Sequence, residues 1–296
     1  MMKKNNTTKV NYKYHCKRKV IKFKKNLDAD KKFFWIHNGA GRLEAYFLLS
    51  ELIRNDFDVY GVALSTEIGF VPKKITIQNI AKKYIEEIKR LQPRGPYYIA
   101  GWCLGGNIAF EMAAQLEQAG EEIGFCGLFN THPPKYFSQI HPKDFSMESE
   151  IDYVCKFITN GKLREKLINC NEVHQFWDII KNELKDDDFN KELFIEMDNW
   201  GLTHNIPNVE KASLYDMFYG INIIRTLHDA RVFYTPEYKL KSSVYMFNAK
   251  KEPIERISDW NKYCYNLSIC EVEGDHFSMF DERNVDLLSI KLNQLL

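Results

Sequence analysis

A chain of 296 residues can bury a large core as one α/β domain with an insertion. Its apolar fraction of 45% and charged fraction of 27% are ordinary for a globular protein, and no apolar run approaches the ~20 residues of a membrane span. The net charge of +1 hides an asymmetry, since residues 1–25 hold ten Lys or Arg and no acid, which leaves the remainder net acidic.

Residues 1–26 read as a solvated basic tail in a Lys- and Asn-rich sequence, with no nucleic-acid or membrane partner expected, although residues 20–23 suit a first edge strand. No signal-peptide core is visible. Seven cysteines, an odd number without paired spacing, point to a reducing, cytoplasmic setting, and no histidine joins them in a zinc pattern, so no metal is expected.

Phe33-Phe34-Trp35-Ile36 predicts a buried strand that opens into the loop His37-Asn38-Gly39-Ala40-Gly41. A helix follows over 46–53 and a second strand over 58–63. Thr76 suits an N-cap, with Ile77, Ile80, Tyr84, Ile88 and Leu91 at helical spacing behind it. Gln92-Pro93-Arg94-Gly95-Pro96 ends that helix. After residues 97–100, read as a buried strand, and the glycine-bounded turn that follows, Ile108, Met112 and Leu116 share one helical face, and Gly120 marks its stop. Residues 124–129 form the next strand, ending at Asn130-Thr131-His132. Such alternation predicts a mainly parallel sheet with ligands at the C-terminal strand ends, where His37, Cys103 and Asn130 all fall.

Residues 135–225 break this rhythm and predict a helical lid insertion over an acyl pocket, rich in Phe176, Trp177, Phe194, Trp200, Phe218 and Tyr219 around an acidic interruption at 185–188. The core then comprises 27–134 and 226–296. Within the second part, 243–247 and 267–272 read as strands, Gly274-Asp275-His276-Phe277 as a loop, and 285–296 as a closing helix.

One stretch carries the chemistry. Gly101-Trp102-Cys103-Leu104-Gly105-Gly106 between strand and helix is the form of a nucleophile elbow, with Cys103 where serine is usual. A side chain at the tip of so sharp a turn needs small neighbours two residues away, and the helix N-terminus beside it favours a thiolate. His276, in the loop after the last strand, is placed to act as base for the thiol and acid for the leaving group. Two orienters for its ring are open: Asn130 after one strand, and Glu252 after another. The oxyanion hole is expected from the Leu104 N–H and an N–H of the first loop. For His37 and His132 at the mouth, a structural hydrogen bond is expected.

These motifs resemble the thioesterase domains of nonribosomal peptide and polyketide synthases. The resemblance is carried by His37 to Gly41 with Tyr46, by Gln92 to Tyr97, by the Cys103 elbow with Phe110-Glu111-Met112-Ala113 and Gln115-Leu116, and by Gly274 to Phe277. It runs from about residue 19 to the C-terminus and is weakest in the lid. It implies the α/β-hydrolase fold and transfer of an acyl or peptidyl group from the phosphopantetheine thiol of a carrier protein, with no cofactor of the enzyme's own. The family usually carries serine at position 103 and aspartate at position 130, so the resemblance implies Asn130 as the better match for the orienter, and it places the first-loop oxyanion donor at Gly39. Both departures point one way, because a thiol is more acidic than a hydroxyl and its histidine needs less negative charge behind it, as in Cys-His-Asn sites. Beside a thioesterase, the residues allow an acyl- or aminoacyltransferase working between carriers or onto an amine, and a non-catalytic module that only docks a carrier.

Overall fold

The computed structural model describes residues 19–65, 67–137, 144–185, 188, 192–199, 213–253 and 257–296. Most of the basic tail, Trp200 and the Phe194 side chain fall outside them.

Seven strands form one sheet: β1 (Val20–Lys24), β2 (Lys31–Ile36), β3 (Phe57–Val62), β4 (Tyr97–Trp102), β5 (Ile123–Phe129), β6 (Val244–Ala249) and β7 (Leu267–Val272). Their order is β1-β3-β2-β4-β5-β6-β7, with β1 antiparallel to β3 and every other pair parallel. The first strand therefore starts inside the stretch assigned to the tail, and Lys22 on it pairs with Asp58 of β3 at 2.8 Å. The middle strands are apolar on both faces because helices cover both, as parallel crossovers require.

Before the first crossover lie α1 (Phe47–Glu51) and a 3-10 turn, shorter than the predicted helix. In α2 (Ile77–Lys89), Thr76 Oγ1 caps the Asn79 N–H at 3.1 Å, and Ile77, Ile80, Tyr84 and Ile88 are buried. Leu91 lies past the helix end and is 42% exposed, since Pro93 forbids another turn. The helix α3 (Leu104–Gln118) runs beneath the sheet and ends at Gly120, whose φ of 81° is the left-handed stop.

The insertion contains α4 (Met147–Cys155), α5 (Gly161–Ile168), α6 (Val173–Glu183), α7 (Glu192–Asn199) and α8 (Leu214–Val232). Residue 225 lies in the middle of α8, so the lid and the second core segment are joined by one continuous helix. Among the described residues the insertion has no separate core. Val154, Leu167, Phe176, Trp177 and Phe218 belong to the same apolar cluster as Phe34 and Ile36 of the sheet.

Because α8 is buried on nearly every face, its polar side chains must find partners. Arg225 pairs with Glu150 of α4, both fully enclosed, and Glu150 also accepts from Trp177 Nε1 at 3.0 Å. Asn222 donates to the Phe70 carbonyl at 2.7 Å, and Asp229 pairs with Lys74 at 3.0 Å. These contacts fix α8 in rotation and height above the sheet. The chain closes with α9 (Val285–Asn293). Among the described residues, no helix is long and apolar enough to cross a membrane.

Candidate active site

Cys103 sits between β4 and α3 with φ 57° and ψ −124°, a conformation L-residues hold only under strain of about 1–3 kcal/mol. The turn is over-determined from both sides. A Cβ on Gly101 would strike the Gly105 backbone, and one on Gly106 would strike Thr131 beyond β5. Tyr46 pins the end of β4 to β2, donating to the Ile36 carbonyl at 2.8 Å and accepting from the Trp102 N–H at 3.0 Å. Only a turn this tight lifts the sulfur above the strand ends.

Two basic side chains face that sulfur. His276 hydrogen-bonds to it, and Arg231 at the end of α8 donates through Nη1 at 3.8 Å. Burial pushes the thiol up, but the charge and hydrogen bond of His276, then Arg231, then the Leu104 N–H outweigh it and bring Cys103 down to about 6. Reciprocally, burial pushes the His276 imidazole down, yet the Cys103 thiolate and then Glu252 raise it above its ordinary value, against the repulsion of Arg231. The two groups bias each other towards thiolate and imidazolium.

Rigid loops hold these groups. Asp275 accepts from the Phe277 N–H at 3.1 Å and the Ser278 N–H at 2.9 Å, folding the segment that carries His276. Those bonds hold its carboxyl at about 2. The indole of Trp102 lies 5.2 Å from the His276 ring and walls one side of it. Glu252 closes a turn after β6, with its N–H on the Ala249 carbonyl at 2.8 Å. That turn is tied to the histidine loop by the Lys250 N–H on Val272 O and the Lys251 N–H on Gly274 O.

Asn130 shares a small depression with Glu252 and His276 but turns elsewhere. Its Oδ1 accepts the Ala249 N–H at 2.8 Å, and its own N–H goes to the Phe247 carbonyl at 2.9 Å. The Oδ1 thus ties β5 to the turn bearing Glu252, while the Nδ2 is buried with no hydrogen-bond partner among the described residues, His276 included. The negative charge that acts on His276 is that of Glu252.

The expected oxyanion donors lie side by side. A Cβ on Gly39 would meet the Leu104 Cβ at 3.5 Å, and the Gly39 N–H has no partner among the described residues. The neighbouring Ala40 and Arg42 N–H groups are spent on Asn38 Oδ1. His37 is structural. It is fully enclosed between Tyr84 Oη at 2.6 Å and the Asn38 carbonyl at 2.8 Å, and burial lowers it to about 4, so it is neutral. His132 stacks on Tyr136 with ring centres 4.2 Å apart. No group of His, Cys, Asp and Glu suited to a metal occurs among the described residues.

Arg231 has no signal of its own in the sequence. What could have pointed to it is the helix: an almost wholly buried segment carrying Arg225, Asp229 and Arg231 must provide each charge with a counter-charge.

The thiolate makes a direct test of this geometry. Alkylation of Cys103 by iodoacetamide should rise with pH through a midpoint near 6 and be level above pH 7. Cys126, Cys155, Cys170 and Cys264 are pushed up by burial and should react far more slowly. Peptide mapping gives the site, and a midpoint of 8 to 9 at Cys103 would mean that the two cations do not act on it.

Residues 31–294 match the thioesterase domain family. Aspulvinone E synthetase melA of Aspergillus terreus is 27% identical over 270 residues, covering 87% of this chain and 27% of that protein. Atromentin synthetase invA5 of Paxillus involutus is 36% identical over 114 residues, 38% of this chain and 12% of the relative. Vanchrobactin synthetase VabF of Vibrio anguillarum is 29% identical over 119 residues, 40% and 4% respectively. The chain thus spans a minor part of the curated relatives it matches. Among solved structures, a four-domain nonribosomal peptide synthetase aligns with TM-score 0.63 and 20% identity, covering 94% of this chain and 20% of that one. The Vlm2 thioesterase domain with a bound dodecadepsipeptide aligns with TM-score 0.61 and 16% identity over 93% and 97% of the two chains. These likenesses bear on the fold, a mainly parallel sheet flanked by helices, and the match over nearly the whole sequence bears on descent: the chain belongs to the thioesterase domain family.

Proposed function

We propose that the protein is a thioesterase that takes an acyl or peptidyl group from the phosphopantetheine thiol of a carrier protein onto Cys103 and then releases or transfers it. The observation that carries this reading is the Cys103 sulfur held at an elbow between His276 and Arg231. In the first step the thiolate attacks the thioester carbonyl, with the developing oxyanion received by the Leu104 and Gly39 N–H groups. The Sγ–acyl bond forms, the pantetheine sulfur leaves, and the proton on His276 passes to it. In the second step His276 takes a proton from the acceptor, whose new bond to the acyl carbon releases the thiolate and restores the ion pair. Glu252 supports the imidazolium in both. A module that only docked a carrier would have no use for the ion pair. The unpaired state of the described cysteines supports a cytoplasmic location.

The cysteine favours transfer over hydrolysis. An acyl-Cys103 is a thioester like the one it came from, so the first step is close to energy-neutral and keeps the group activated. An acyl-serine ester would lie lower. Thioesters yield to amines and thiols more readily than to water. An acylated carrier incubated with the enzyme should therefore give an intact-mass increase at Cys103 and slow hydrolysis, with turnover accelerated by a second phosphopantetheinylated carrier or an amine. Fast hydrolysis indifferent to any acceptor would leave a plain hydrolase. The absence of any adduct, with no turnover, would remove the thioesterase reading.

A further inference from the structure

Arg231 does more than a thiolate requires, and its surroundings say what else it meets. Its guanidinium carbon sits over the Phe137 ring, 4.0 Å from the centre, and its buried Nε has no hydrogen-bond partner among the described residues. The other cations of this region are matched by carboxylates: Arg225 by Glu150, and Lys74 by Asp229. Arg231 has no carboxylate partner among the described residues. The anion acting on it is the Cys103 thiolate.

That anion vanishes during the reaction. Once Sγ carries the acyl group it is a neutral thioester, and His276 has given up its proton. Arg231, half-buried with its Nε enclosed, is then a cation beside the acyl chain with no anionic partner among the described residues, a state that costs free energy. Water reaches part of the side chain, but the guanidinium is held over Phe137 at the end of a helix fixed by three polar contacts, so it stays beside the acyl group. A carboxylate that arrives with the substrate pairs with it directly. Resting on the thioesterase reading above, we propose that Arg231 is a specificity residue for acyl groups bearing a carboxylate a short chain away from the thioester carbonyl, which replaces the thiolate as its partner in the acyl-enzyme. A guanidinium fork suits that role, offering two parallel donors where an ammonium offers a point charge.

The test compares two thioesters of one pantetheine thiol, succinyl and its neutral monomethyl ester, by rate of acyl-Cys103 formation in intact mass. The full-length wild type should favour the succinyl group by about ten- to a hundredfold in kcat/KM, the discrimination expected of a charge-assisted pair. In Arg231→Met the ratio should fall to about one or invert, while Arg231→Lys should keep part of it. Because the ratio is taken within one enzyme, any slowing from a less stable thiolate cancels. A wild-type ratio near one overturns the proposal while leaving the thioesterase reading intact, and needs no variant to fold. A ratio that survives in Arg231→Met overturns it equally. If neither thioester acylates Cys103, both readings fall together.

Discussion

Replacing Cys103 with alanine is expected to abolish acyl-enzyme formation completely, and replacing it with serine should cost about a hundredfold or more in turnover. The alanine result follows from the need for a nucleophile at the elbow. The serine result rests on how the charge is arranged. His276 and Arg231 hold a thiolate that already exists near pH 6. A hydroxyl has no such anion to stabilise, and its proton must leave during the attack itself, when Arg231 opposes a second positive charge on His276. Both variants retain Gly101 and Gly106, on whose missing side chains the turn depends, and neither adds bulk at position 103. Intact mass after incubation with an acylated carrier measures the outcome. A serine enzyme with wild-type turnover would mean that the preformed ion pair is not the working state.

Much of this site was legible in sequence because its parts are local. The elbow needs small residues at fixed offsets around one nucleophile, and the strand before Cys103 and the helix after it are marked by runs of apolar residues. Thr76 and Gly120 carry their own backbone chemistry, so both helix ends emerged as expected. His276 follows from chain order in a fold whose strand ends converge. The edges of the lid were not legible, since composition changes gradually where α8 continues from one region into the other. Arg231 and Cys103 are 128 residues apart and meet only because Arg225, Asn222 and Asp229 set the rotation of that helix. The choice between Asn130 and Glu252 was not legible either. Both follow strands that are neighbours in the sheet, and which one faces the imidazole depends on where a single amide points.

The oxygen of that amide holds the backbone, which sets the last expectation. Glu252→Gln removes the charge acting on His276 while keeping the size of the side chain. Turnover should fall by about ten- to a hundredfold, the alkylation midpoint of Cys103 should rise, and thermal stability should stay as it was. Asn130 works one step further out. Its Oδ1 holds the Ala249 N–H, and the turn from Ala249 carries Glu252, so its loss loosens the turn instead of discharging the histidine. Asn130→Ala leaves that buried N–H unpaired and puts alanine at a φ of 42°, a conformation asparagine tolerates better. It should cost about 1–3 kcal/mol of stability, with the alkylation midpoint close to wild type. Asn130→Asp retains an acceptor for Ala249 and should recover most of that stability. Urea unfolding, the pH dependence of alkylation and steady-state turnover, measured together on these three variants, separate a charge partner from a scaffold. Should Asn130→Ala shift the midpoint and Glu252→Gln leave it alone, the orienting role belongs at the end of β5, and Glu252 is a loop acid.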